Sequence, residues 1–82
     1  MADVKDTLRS YIQTQFMYDK PDRKLDEDTP LVNEGIVDSL GIFMLISFID
    51  EELGVKIEPE DVVIENFETL DAITNLVKMR SN

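Results

Sequence analysis

The chain has 82 residues, with eighteen acids against eight bases, a formal net charge of -10, and no cysteine or histidine. That composition removes disulfides, thiolate or imidazole metal centres and every catalytic unit built on Ser-His-Asp or Cys-His. Apolar residues make up 43 %, too many for disorder, while the acidic balance repels nucleic-acid phosphates and anionic membranes and favours partners with basic surfaces.

The length suits one domain over residues 1–82. There is no basic-then-apolar leader pattern and no apolar run long enough to span a bilayer, so the expectation is a cytoplasmic protein. In chain order, Val4, Leu8, Ile12 and Phe16, with Tyr11, recur at helical spacing and predict a helix over about 3–17, with Asp3 and Asp6 suiting the dipole of its first turn. Residues 19–37 contain Pro21, Pro30 and Gly35 without sustained periodicity. They read as a long ordered loop pinned by Leu25, Leu31, Val32, Ile36 and Val37, and a loop that long signals either function or a missed element.

Asp38 is placed to cap a second helix over 39–53, and Gly54 to end it in the left-handed conformation. Glu58-Pro59-Glu60-Asp61 reads as the start of a short helix with proline at its first position, running into Val62, Val63 and Ile64. Thr69 can cap a last helix carrying Leu70, Ile73, Leu76 and Val77 on one face, with Lys78 and Arg80 in the turn where cations suit the dipole. The predicted fold class is all-α: a small four-helix bundle of three main helices and one short one, with a long loop between the first two.

The second helix is apolar nearly all round. At about 100° per residue, Ile42, Leu45, Ile46, Ile49 and Leu53 share a face and read as the core stripe. Phe48, to one side, is expected to lie under the long loop. Leu40, Phe43 and Met44 are read as an exposed recognition patch, with Ser47 and Glu51 as further partner-facing positions. Acids concentrate between residues 21 and 68, which suits a solvating surface or a footprint for basic partners. The neighbours Glu51 and Glu52 do not face each other on a helix, so they are no acid-base pair. Asp26-Glu27-Asp28 fails as a calcium loop, because counting from Asp26 the required glycine and closing glutamate fall on Leu31 and Val37. No metal ligand set is expected.

Ser39 opens the central helix after the loop, where unpaired amides and partial positive charge favour an anion. Here the sequence resembles a family. Glu34-Gly35-Ile36-Val37-Asp38-Ser39-Leu40, the apolar helix, Glu51-Glu52-Leu53-Gly54, Ile57-Glu58-Pro59-Glu60-Asp61 and Phe67-Glu68-Thr69-Leu70-Asp71-Ala72-Ile73 together resemble the acyl and peptidyl carrier proteins over about residues 3–80. The resemblance implies a carrier rather than an enzyme. Its Ser39 would be esterified with 4′-phosphopantetheine, and Asp38 would belong to the same motif. The implied partners are a phosphopantetheinyl transferase, an acyl-loading enzyme and a downstream acyl-transfer or condensing enzyme. A chain without cysteine gains from such an arm the thiol on which a thioester can form.

Carriers of fatty-acid synthesis typically place acids two and five residues after the modified serine; here those positions are Gly41 and Met44. The uncharged start of the helix and the Ser39-Leu40-Gly41 sequence look more like free-standing aminoacyl or D-alanyl carriers loaded by an adenylating ligase. A specialised fatty-acyl or polyketide carrier is the alternative. From a different class, an unmodified helical adaptor would use the same apolar patch and leave Ser39 as a mere cap.

Overall fold

A computed structural model describes residues 3–19 and 25–81. The element order is α1 (Val4–Phe16), α2 (Ser39–Leu53), a 3₁₀ turn (Pro59–Asp61), α3 (Ile64–Phe67) and α4 (Leu70–Arg80), with no strand among the described residues. The predicted all-helical class is the one observed. The three long helices lie within a residue or two of their expected bounds, because their end signals act locally. The Asp38 carboxylate accepts the Gly41 amide at 2.8 Å, and the Thr69 hydroxyl accepts the Ala72 amide at 3.0 Å. Gly54 adopts φ 67°, the left-handed conformation that a side chain would strain.

Leu8 and Ile12 of α1, Leu45 and Ile49 of α2, Phe67 of α3, and Leu70, Ile73, Leu76 and Val77 of α4 form the centre of the core. Each such side chain contributes about 1.5–3 kcal/mol by leaving water. Thr74 is buried among them, and its hydroxyl donates to the Leu70 carbonyl at 2.8 Å, which offsets the cost of burying it. α1 packs along α4, and α3 abuts α4.

The long connection is ordered where it is described. Leu25, Leu31, Ile36 and Val37 are buried and Val32 is partly so, as expected of pins. Residues 20–24, Pro21 included, lie outside the described residues. The Leu31 carbonyl accepts the amides of Ile36 and Val37, and Gly35 sits at φ 73°, so the chain coils tightly around Leu31 just before α2. Two backbone bonds stitch the loop to the start of α4: Leu31 N–H to the Glu68 carbonyl at 2.7 Å, and Asp71 N–H to the Glu27 carbonyl at 3.0 Å. Lys5 adds an ionic tie, reaching Glu27 at 3.1 Å and Asp71 at 3.0 Å.

Three expectations need correction. The short helix does not run from Pro59 into Ile64. It is a 3₁₀ turn ending at Asp61, and the chain is extended at Val63 before the four-residue α3. β-Branched Val62 and Val63 favour that extension. Secondly, the buried seam of α2 runs through Gly41, Leu45 and Ile49, with Ile42, Ile46 and Leu53 only partly buried. The helix is therefore rotated about its axis relative to the expected stripe, and Met44 is half-buried rather than exposed. Thirdly, the cover that the described residues show for Phe48 comes from α1. The Tyr11 ring stacks on it at 4.0 Å between centroids.

Candidate functional site

Ser39 is the first residue of α2 and is exposed. The capping role falls to Asp38, whose carboxylate takes the Gly41 amide. Among the described residues the Ser39 hydroxyl makes no hydrogen bond, so it stands at the positive end of a fifteen-residue helix without a structural duty. A mere cap would have spent its oxygen on the helix amides.

Two concavities flank this end of α2, and Phe43 lines both. The first, about 240 Å³, is bounded by Ser39, Ile42 and Phe43 on α2 and by Val62, Val63 and Ile64 across from them. Every side chain in it except Ser39 is apolar. The second, about 470 Å³, is an open groove between α1 and α2 lined by Tyr11, Phe43, Met44, Ser47, Phe48, Glu51 and Glu52. It gathers Phe43, Met44, Ser47 and Glu51 from the residues marked in the sequence as partner-facing. Leu40 lies outside it on the outer face, 68 % exposed, and Phe43 is 61 % exposed. Tyr11, Phe48 and Glu52 were not foreseen as lining, nor were Val62, Val63 and Ile64 beside Ser39. The outward apolar pair Val63 and Ile64 was the available signal.

No charged side chain occurs from Ser39 to Ile49; Asp50, Glu51 and Glu52 follow at the far end. The Tyr11 phenol is pushed above its ordinary pKa, first by burial and then by negative Glu51, and stays neutral. Its hydroxyl donates to the Met44 carbonyl at 3.4 Å, a long bond that ties the α1 ring to α2. Gly41 does not belong to any recognition surface. It is buried, and a Cβ there would stand 3.0 Å from Phe16 Cε1 and 3.1 Å from Val37 Cγ1. Packing thus disfavours an acid at this position.

The sequence profile described as "Phosphopantetheine attachment site" matches residues 6–77. The chain belongs to this family. It is a carrier protein that holds acyl groups on a phosphopantetheine arm. The carrier is 36 % identical over 75 residues to the "Probable acyl carrier protein PigG" of Serratia sp. (strain ATCC 39006), which spans 92 % of this chain and 85 % of that protein. It also resembles a chain from a solved structure described as "Crystal structure of FAD-dependent dehydrogenase", with a TM-score of 0.76 and 33 % identity over 85 % of this chain and 97 % of that one. Membership implies dealings with a phosphopantetheinyl transferase and with acyl-handling enzymes. Among the described residues no helix is long and apolar enough to cross a membrane, and no cluster of metal-ligating side chains occurs.

Proposed function

We propose that Ser39 carries the arm as a phosphodiester through its Oγ and that this carrier presents amino acids or small carboxylic acids to partner enzymes in the cytoplasm. The observation that carries this reading is the division of labour at the helix start: Asp38 caps, and the exposed Ser39 hydroxyl is left over. The residues suit the group. The helix N-terminus favours its phosphate, and the apolar groove between Ile42, Phe43 and Val62–Ile64 can lodge the first part of the arm. When attached, the arm supplies the thiol this cysteine-free chain lacks, on which cargo is held as a thioester. The chain itself positions that cargo and performs no catalysis.

Partner enzymes dock on Leu40, Phe43, Met44, Ser47 and Glu51 in this reading. The exposed apolar start of α2 contributes contact area, and the acids at its far end meet basic side chains. The absence of charge between Ser39 and Ile49 supports loading by an adenylating ligase of the aminoacyl type rather than by fatty-acid enzymes. A flavin enzyme belongs among the candidate downstream partners, besides acyl-transfer and condensing enzymes. The chain from the dehydrogenase structure is covered to 97 % by this one, so it is itself of carrier size.

Intact mass spectrometry before and after incubation with coenzyme A and a broad-specificity transferase tests the attachment. One added arm mapping to Ser39 is expected. Folded protein that gains nothing, from a transferase active on other carriers, would favour the unmodified adaptor. Loading assays with free amino acids, small carboxylic acids and fatty acids then separate the cargo classes.

A further inference from the structure

The wall that faces Ser39 across the smaller groove is held in an unusual way. Val63 and Ile64 point outward, 44 % and 60 % exposed, so their own burial does little to fix the segment. Its position comes from its flanks. On one side Phe67 is fully buried. On the other stands Asp61, only 6 % exposed, on which five hydrogen bonds converge. Its carboxylate accepts Arg80 Nε at 2.6 Å, Arg80 Nη2 at 2.7 Å and the Glu58 amide at 3.1 Å. Its carbonyl accepts the Val63 amide at 2.9 Å and Asn66 Nδ2 at 2.8 Å.

We propose that the Arg80–Asp61 pair is a clasp that sets the wall of the Ser39 groove, making Arg80 and Asp61 positioning residues for the phosphopantetheine arm. The inference rests on the reading that Ser39 bears the arm. The forked two-bond geometry fixes orientation as well as distance, which a single lysine bond would not. Removing Arg80 leaves the carboxylate of Asp61 in a poorly solvated place without its counter-charge, so the clasp holds the turn firmly. The guanidinium accordingly keeps the Asp61 carboxyl below its ordinary pKa, and the pair remains ionised throughout the neutral range. Arg80 stands in the last turn of α4, nineteen residues beyond Asp61, so the far end of the chain governs the site of its modified serine.

The test is amide exchange in the apo protein and in protein given its arm by transferase and coenzyme A, compared among wild type, Arg80→Lys, Arg80→Gln and Asp61→Asn. Exchange at Val62 and Val63 is read relative to the core amides of α1, which cancels any loss of global stability. Arg80→Gln is expected to speed that relative exchange about tenfold or more, with Arg80→Lys between it and wild type. Attaching the arm should slow Val62 and Val63 in wild type and leave them unchanged in Arg80→Gln, although mass spectrometry shows complete attachment in both. An equal slowing in both would overturn the clasp and leave Ser39 as the attachment site. A wild type that gains no arm at Ser39 would overturn that reading, and the clasp with it. If Arg80→Gln does not fold, Asp61→Asn decides in the same way, since its amide oxygen still accepts from Glu58.

Discussion

The two ends of this carrier are built on opposite principles. Around α1, the loop and the start of α4, charges are tied: Lys5 bridges Glu27 and Asp71, and backbone bonds join Glu27 to Asp71 and Leu31 to Glu68. Along α2 from Ser39 to Ile49, no side chain is charged and little is tied. Leu40, Phe43 and Ile64 lie open, and the Ser39 hydroxyl has no partner among the described residues. The first end spends its polar groups on holding the fold. The second leaves apolar area and a hydroxyl for others to use, and depends for its shape on anchors placed around it: the Asp38 cap, the Phe16 ring against Gly41, and the Arg80–Asp61 pair.

The sharpest way to break that contrast is Ser39→Ala. It should abolish attachment of the arm while leaving the helical circular dichroism unchanged, because Ser39 does no structural work; an arm still appearing on that variant would place the site elsewhere. Next in size, Phe43→Glu should lower kcat/KM for the loading enzyme about tenfold or more, as loss of an exposed apolar anchor does at a docking site. Lys5→Ala should leave loading near wild type. Equal effects of the two on loading would erase the functional difference between the ends.

Gly41→Asp probes packing beneath the site. It brings a side chain against Phe16 and Val37 and should cost about 1–3 kcal/mol in thermal or urea unfolding. Phe16→Leu in the same chain should restore part of that loss. No restoration would mean that crowding by Phe16 is not what keeps position 41 small.

The smallest expected effect is a pH dependence. Asp61 has its pKa lowered in the folded state by Arg80, so its stabilisation is present above the ordinary carboxylate range. It is lost as the pH falls through the depressed folded value. The stability gap between wild type and Asp61→Asn should therefore be full near neutrality and close only in strong acid. A gap unchanged into strong acid would show that the asparagine acts through shape and not charge.

Much of this was legible in local signals. Asp38, Gly54 and Thr69 mark their helix ends within one turn of chain, and the Leu8–Ile12 and Leu70–Val77 patterns point to their core faces directly. The exposed Leu40 and Phe43 could be inferred because so small a chain cannot bury a helix that is apolar all round. Met44 could not be placed. On a helix that is apolar nearly all round, a modest rotation changes how deeply each side chain is buried without burying any charge, so the sequence holds no preference strong enough to read.

What the sequence determined by itself is therefore the helical class, the caps, the uncharged start of α2 and the serine standing there, each set by interactions spanning a few residues. Tertiary structure alone decided which way α2 faces, that Tyr11 stacks on Phe48, that Gly41 is a packing site, and that Arg80 reaches Asp61. Those depend on groups far apart in the chain, whose meeting is settled by how the helices pack and not by any pattern within one of them.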